Sequence, residues 1–243
     1  MYSFENKRIS TIVREHYSTA DIFKKYGISY CCGGDIDFQT ACKLVQIDQE
    51  KLLEDLHQAI RPRRISMKTD YQNWSLDFLT DYVVNMHHGY VTLILPELQA
   101  GLVSFYEQHR KKFPELEGTI DLLNQIARSL VSGDLEEEKN IFPYIKQIEN
   151  ARLYEESYGK LLVSTLGKSL NCLWQNAQRE LRLLSKLKDH TSNYEVPPNA
   201  CTKMHVLYEQ LKEFHHELVQ HKFLEEKIIL PRALAIEREL LSC

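Results

Sequence analysis

The feature that most constrains this chain is a hydrophobic stripe near its C-terminus that two ionisable residues interrupt. Its apolar residues alternate spacings of four and three, which is typical of a helix in a bundle: Leu207, Leu211, Phe214 and Leu218. The same spacing continues onto His221, Glu225 and Ile228. His221 and Glu225 therefore lie one turn apart on the buried face, where a charge without a partner is costly. A metal ion is one partner that would suit both side chains at once.

A second stretch repeats this sequence earlier in the chain. Residues 137–143 (EEKNIFP) match residues 225–231 (EEKIILP) at an offset of 88 residues. The repeat predicts that two helices of one bundle end alike, with Glu137 corresponding to Glu225. It also predicts a histidine at position 133 to correspond to His221. The residue at that position is Gly133, which has no side chain to offer a metal.

Composition favours an all-α protein and excludes several functions. Glycine (9) and proline (7) are scarce in 243 residues, and strong helix formers dominate. A net charge of -4 gives no basic field for nucleic acid. No apolar run approaches the ~20 residues that span a membrane, and residues 1–8 (MYSFENKR) do not form the apolar segment of a signal peptide. We therefore expect a cytoplasmic protein with no nucleic-acid and no membrane partner, and the six scattered cysteines fit a reducing compartment.

The hydrophobic patterns predict two domains. Residues 1–60 form short helices, residues 61–74 form a basic and polar linker, and residues 75–243 form a four-helix bundle. The first long helix is expected to begin at a cap, Ser75, and to run to Pro96, which kinks or ends it. The other three are expected from about Glu117 to Pro143, from about Lys168 to Asp189, and from Cys201 to Pro231 with a short helical tail to Cys243. A core of ~60 residues is marginal by itself. We expect the small domain to lean on the rest of the molecule or on a second subunit, as in a homodimer.

Ionisable residues on other predicted helices could meet the pair in the C-terminal stripe. In the first long helix, the periodicity fits His87 and His88 equally well. In the second, Glu137 shares an apolar stripe with Ile126, Leu130, Gly133 and Ile141. Histidines and glutamates that point inward from different helices of a bundle form di-iron sites. The alternative for any one of them is a hydrogen-bonded core residue without metal.

Cys31 and Cys32 precede a glycine pair, Gly33 and Gly34. The glycines allow a sharp turn and leave the two thiols beside a tight loop. A partly exposed thiol there could be redox-active or act as a soft metal ligand. The alternative is that the two side chains simply pack.

Several of these stretches together resemble a known family. Residues 23–34 (FKKYGISYCCGG) are similar to the N-terminal domain of the iron–sulfur cluster repair di-iron proteins, in which that domain precedes a hemerythrin-like four-helix bundle. The bundle resembles the family at residues 95–98, 141–143, 197–201 and 221–234. The resemblance implies a non-haem di-iron centre held by four histidines and two bridging glutamates. It also implies a role in restoring clusters damaged by nitric oxide or peroxide, with iron supplied to damaged iron–sulfur proteins as clients.

Position by position, the resemblance assigns some ligands and leaves others without a match. It identifies the metal ligands as His88, Glu137, His221 and Glu225, and the reactive thiols as Cys31 and Cys32. The two other histidines of the pattern fall on Gly133 and Ala177. Asp134 and Glu180 lie near enough in sequence to compensate, but we expect both to point to solvent. The alternative function is a divergent homologue that keeps the scaffold as a binding or regulatory module without redox activity.

Overall fold

The structure is a computed structural model that describes residues 3–31, 34–60, 70–167 and 169–242. Over these residues the regular structure is helical, so the predicted all-α fold is confirmed. The chain divides into two compact units: Met1–Met67 with Tyr194–Lys212, and Lys68–Asn193 with Glu213–Cys243. The domain boundaries expected from the sequence stay predictions, and most of the predicted linker lies outside the described residues.

The first unit contains four short helices: α1 (Ile9–Glu15), α2 (Thr19–Lys25), α3 (Phe38–Leu44) and α4 (Gln49–Ala59). Gly27 ends α2 with a φ of 70°, a conformation that glycine adopts without strain. Asp37 and Asp48 cap the next two helices by accepting hydrogen bonds from the backbone amides of Thr40 and Glu50. The apolar faces of the four helices form one buried core together with Phe4 and Val206. The helix residues in this core include Ile9, Ile12, Val13, Phe23, Phe38, Leu52 and Leu56.

Long helices make up the second unit. They are α5 (Leu76–Tyr82), α6 (Gly89–His109), α7 (Leu116–Glu136), α8 (Phe142–Leu153), α9 (Gly159–Leu166), α10 (Ser169–His190) and α12 (Leu230–Ser242). A further helix, α11 (Thr202–Phe223), contributes its C-terminal part. Among the described residues, no helix has both the length and the apolar character needed to cross a membrane.

Three pairs of helices are continuous through π-helical turns. These turns span Val83–His88 between α5 and α6, Glu137–Ile141 between α7 and α8, and Leu224–Ile229 between α11 and α12. The helix end expected at Pro143 is wrong, since α8 continues to Leu153. Of the two outcomes expected at Pro96, a kink or a helix end, the end does not occur, since α6 continues through Pro96 to His109. Leu95 and Leu98 on either side are buried, and this packing outweighs the hydrogen bond that a proline cannot donate.

The stripe of α11 is buried as its spacing predicts. Each of its seven members is at most 5% exposed: Leu207, Leu211, Phe214, Leu218, His221, Glu225 and Ile228. This stripe therefore brings one histidine and one carboxylate into the interior of the bundle.

Candidate metal centre

The π-helical turns coincide with the residues that the sequence singles out. The first turn ends at His88, the second begins at Glu137, and the third contains Glu225. A π-helical turn holds more residues than an α-helical turn, so it changes which side chains face the core beyond it. Such turns are frequent at functional sites. Backbone irregularity and candidate ligands thus occur at the same places in three helices.

Four buried side chains converge in the interior of the second unit. Each offers one ligand atom, and these atoms lie within 4.8 Å of one another: His88, Glu137, His221 and Glu225. His88 is 3% exposed and the other three are 0% exposed. Two imidazole nitrogens and two carboxylate oxygens suit iron, manganese or zinc. The structure brings the candidate ligands together, while their role in binding metal stays a prediction.

The donor atoms of this cluster fit one metal ion. In the described parts of the chain, no hydrogen bond reaches His88 Nε2, either carboxylate oxygen of Glu137, or either ring nitrogen of His221. Yet His88 Nε2 lies 3.3 Å from Glu137 Oε2, and His221 Nε2 lies 2.6 Å from Glu225 Oε1. Buried polar atoms in native proteins nearly always have a partner. A cation between these atoms would be the partner that they lack.

The two adjacent histidines of the first π-helical turn have different surroundings. His88 Nδ1 lies 2.8 Å from Oε1 of Glu138, which leaves Nε2 to face the cluster. A carboxylate on the far nitrogen commonly orients a metal-binding histidine. His87 Nδ1 instead lies 2.6 Å from Glu217 Oε1, and its ring stacks on His221 with centroids 5.3 Å apart. The choice that periodicity left open therefore falls on His88 for the cluster, with His87 packed behind it.

The interior of the bundle shifts the titration of these groups in different directions. Burial and the neighbouring Glu225 together raise the pKa of Glu137 to about 8. Burial would also raise the pKa of Glu225, but His221 and Lys222 hold it below its usual range. Burial lowers the pKa of His221 to about 3, which keeps its imidazole neutral. Burial would lower the pKa of His88 as well, but the surrounding carboxylates raise it to about 9. Neutral imidazole is the form that binds a metal, so His221 is already in that form, whereas a metal that binds His88 would displace its proton.

A lysine that the sequence analysis did not single out lies beside the cluster. Lys222 is fully buried, and its Nζ lies 2.9 Å from Glu225 Oε2, 3.0 Å from Glu180 Oε2 and 3.7 Å from Glu137 Oε1. Burial would lower the pKa of Lys222, but these carboxylates raise it well above its usual value. Lys222 directly follows His221 and is not a member of the stripe of α11, so the apolar spacing did not point to it. Its spacing of three from Glu225 was the available signal.

The two positions without a ligand are buried, and their neighbours point inward. Gly133 and Ala177 face the interior, as the stripes predict.

The expectation that Glu180 and Asp134 point to solvent is wrong. Glu180 is 0% exposed and accepts a hydrogen bond from Ser129 Oγ at 3.0 Å. The Asp134 side chain is 14% exposed, its Oδ1 lies 3.8 Å from His88 Nε2, and burial raises its pKa to about 6. The close packing of α7 on α10 leaves both carboxylates inside.

The thiol pair lies in the first unit. Cys31 is half-buried, and Cys32 and Gly33 lie outside the described residues. Position 34 has no space for a side chain, because a Cβ there would lie 2.3 Å from the carbonyl oxygen of Tyr30. The backbone at Gly34 therefore passes close to Tyr30, and the tight loop and the reactivity of the two thiols stay predictions.

Comparison with known proteins gives two results. Residues 5–60 match a domain of unknown function, DUF542 (ScdA_N). Iron-sulfur cluster repair protein YtfE of Citrobacter koseri is 26% identical over 236 residues, which are 97% of this chain and 100% of that protein. The protein of the same name from Escherichia coli O157:H7 is 27% identical over 217 residues, 89% of this chain and 91% of that protein. The similarity thus extends through both units.

Proposed function

Since this chain belongs to the iron–sulfur cluster repair family, we propose that it acts in the repair of iron–sulfur clusters damaged by oxidative or nitrosative stress. The observation that carries the proposal is the convergence of His88, Glu137, His221 and Glu225 in the bundle interior. We propose that these four side chains hold iron, that the chain supplies iron to damaged iron–sulfur proteins, and that it does so in the cytoplasm. The family resemblance implies a di-iron centre there.

The arrangement of the four side chains supports this proposal. His88 and His221 present nitrogens, and Glu137 and Glu225 present carboxylates, at buried positions of the bundle. Iron bound there would be a redox-active cation able to bind oxygen, nitrogen and nitric oxide ligands. Unpartnered ligand atoms in the core also argue against a module that has lost its metal site. A decayed site gains stability when such atoms are replaced by apolar groups.

Metal analysis and a repair assay test the proposal together. Protein purified anaerobically with Fe²⁺ is expected to retain iron and to restore activity to an iron–sulfur enzyme inactivated by nitric oxide. Glu137→Gln is expected to lower both, because it removes a charged oxygen ligand from the site. Glu136→Gln is the matched control, since its side chain only accepts a hydrogen bond from Asn140 on the surface. Iron retention and repair that are the same in both variants would contradict the assignment.

We propose further that Cys31 and Cys32 take part in the repair reaction as thiols. The resemblance assigns them this role, and the half-buried position of Cys31 is consistent with access. Cys31→Ser and Cys32→Ser are expected to slow repair without changing iron content. Cys172→Ser, at an exposed position of α10, is the control. Equal repair rates in all three variants would remove the thiols from the mechanism.

A further inference from the structure

The position expected for a second metal ion contains an amino group instead. The family resemblance implies six ligands for two irons, and two of the six positions are Gly133 and Ala177. The Nζ atom of Lys222 lies among the buried carboxylates of the site. We infer that the ammonium group of Lys222 replaces the second metal ion, so that this chain binds one metal ion in place of two. The inference rests on the proposed function, because it concerns the metal that the same site holds.

Glu137 and Glu225 each lie near a candidate histidine ligand and near the amino group of Lys222. Glu225 Oε1 lies 2.6 Å from His221 Nε2 and also accepts a hydrogen bond from Lys222 Nζ at 3.1 Å, while Oε2 lies 2.9 Å from the same Nζ. Glu137 Oε2 lies 3.3 Å from His88 Nε2, and its Oε1 lies 3.7 Å from Lys222 Nζ. Glu137 thus divides its oxygens between a histidine and the lysine, whereas Glu225 places both oxygens at Lys222 and shares one of them with His221. Each carboxylate therefore lies between a candidate histidine ligand and the ammonium, as a bridging carboxylate lies between two metal ions.

Glu180 completes the surroundings of the ammonium. Its Oε2 lies 3.0 Å from Lys222 Nζ, and its Oε1 accepts the hydrogen bond from Ser129. An ammonium group has three donors, and Glu180, Glu225 and Glu137 surround it. Lys222 can therefore direct its donors toward carboxylates while its carbon chain crosses the apolar core.

Gly133 belongs to this arrangement through its lack of a side chain. A Cβ atom at position 133 would lie 3.1 Å from Glu180 Oε1 and 3.6 Å from Asn176 Nδ2. A histidine at this position would need the space that Glu180 occupies. The glycine that appeared to be a lost ligand therefore makes room for the carboxylate that binds Lys222.

Charge balance leads to the same number of metal ions. The three fully buried carboxylates, Glu137, Glu180 and Glu225, carry three negative charges when ionised, which one ammonium and one divalent ion would balance. Asp134, the fourth carboxylate nearby, keeps 14% of its side chain exposed to solvent. A second divalent ion beside Lys222 would place two positive groups in contact inside a low-dielectric core, which is strongly unfavourable. The site with its lysine is therefore complete with one metal.

Metal stoichiometry tests the inference without any assay of repair. Apo-protein titrated anaerobically with Mn²⁺ is expected to bind one equivalent and to give the paramagnetic resonance spectrum of an isolated ion. Two bound ions with an exchange-coupled spectrum in the unchanged chain would overturn the inference and leave the proposed function standing. Absence of any bound Mn²⁺ or Fe²⁺ would instead overturn the proposed metal function, and the inference with it.

Removal of the amino group is a second measurement. Lys222→Met keeps an unbranched side chain one atom shorter and removes the amino group. The variant is expected to bind a second equivalent of Mn²⁺, because the carboxylates around position 222 then lack the ammonium. Lys227→Met is the matched control, since that lysine is exposed and forms an ion pair with Glu226, which is not a candidate ligand. A folded Lys222→Met variant that still binds one ion would overturn the role assigned to the ammonium. If that variant fails to fold, the stoichiometry and spectrum of the unchanged chain decide the inference.

Discussion

Glu138 shows how a single surface residue can act on a buried site. Its carboxylate lies 2.8 Å from His88 Nδ1, although its own side chain is 41% exposed. This contact determines which ring nitrogen of His88 faces the cluster. The repeat in the sequence marked Glu137 and Glu138 together, but only the structure separates a candidate ligand from the residue that orients another candidate ligand.

Removal of this orienting contact is expected to weaken metal binding while leaving all four ligands in place. Glu138→Ala should lower affinity for Mn²⁺ or Fe²⁺ by about 10–100-fold, because His88 loses its preferred tautomer and orientation. Competition with a chromophoric chelator measures this change. Lys139→Ala, at the next exposed position, serves as the control. An affinity equal to that of the unchanged chain would show that Glu138 does not act through His88.

At the scale of elements, the start of α5 depends on a distant helix. The backbone amides of Leu76 and Asp77 donate to the two carboxylate oxygens of Glu149 in α8, at 2.9 and 2.8 Å. The amide of Phe78 donates to Ser75 Oγ at 3.2 Å. The first amides of the helix are thereby satisfied, one by its own cap and two by a buried carboxylate. The sequence predicted the cap at Ser75 but gave no sign of Glu149.

Loss of this second cap is expected to destabilise the beginning of α5. Glu149→Ala leaves two amides without acceptors, and each unsatisfied buried donor costs about 1–3 kcal/mol. Hydrogen exchange of the Leu76 and Asp77 amides should accelerate, and the thermal midpoint should fall. Asn150→Ala, at the adjacent exposed position, should change neither. Unchanged protection of these two amides in Glu149→Ala would contradict the assignment.

At the scale of the whole molecule, the first unit is assembled from two separated segments. Val206 of α11 is 4% exposed and belongs to the same core as α1–α4. Whether the predicted domain of residues 1–60 also depends on the rest of the chain stays a prediction. The alternative support, by a second subunit in a homodimer, stays a prediction.

Truncation of Val206 is expected to loosen the first unit. Val206→Ala removes buried methyl groups and should cost about 2 kcal/mol in that core. Hydrogen exchange in α1–α4 reports the change. Val219→Ala, at a 41% exposed position on the same helix, is the control for helix propensity. If the two variants exchange alike in α1–α4, the segment 194–212 does not support that core.

The sequence by itself determined whatever depends on local spacing. The stripe of α11 predicted a buried histidine and carboxylate, and the repeat predicted their counterpart in Glu137. These features follow from the periodicity of a helix, which acts over a few residues.

The tertiary structure alone decided which side chains meet across helices. The inward orientation of Glu180 and Lys222 depends on how α7, α10 and α11 face one another, and the π-helical turns alter the positions that an uninterrupted α-helix would give. A buried charge is stable only with a partner, and the partners of Lys222 lie up to 85 residues away in sequence, at Glu137. The number of metal ions expected in the site therefore follows from packing between helices, which the spacing within one helix does not determine.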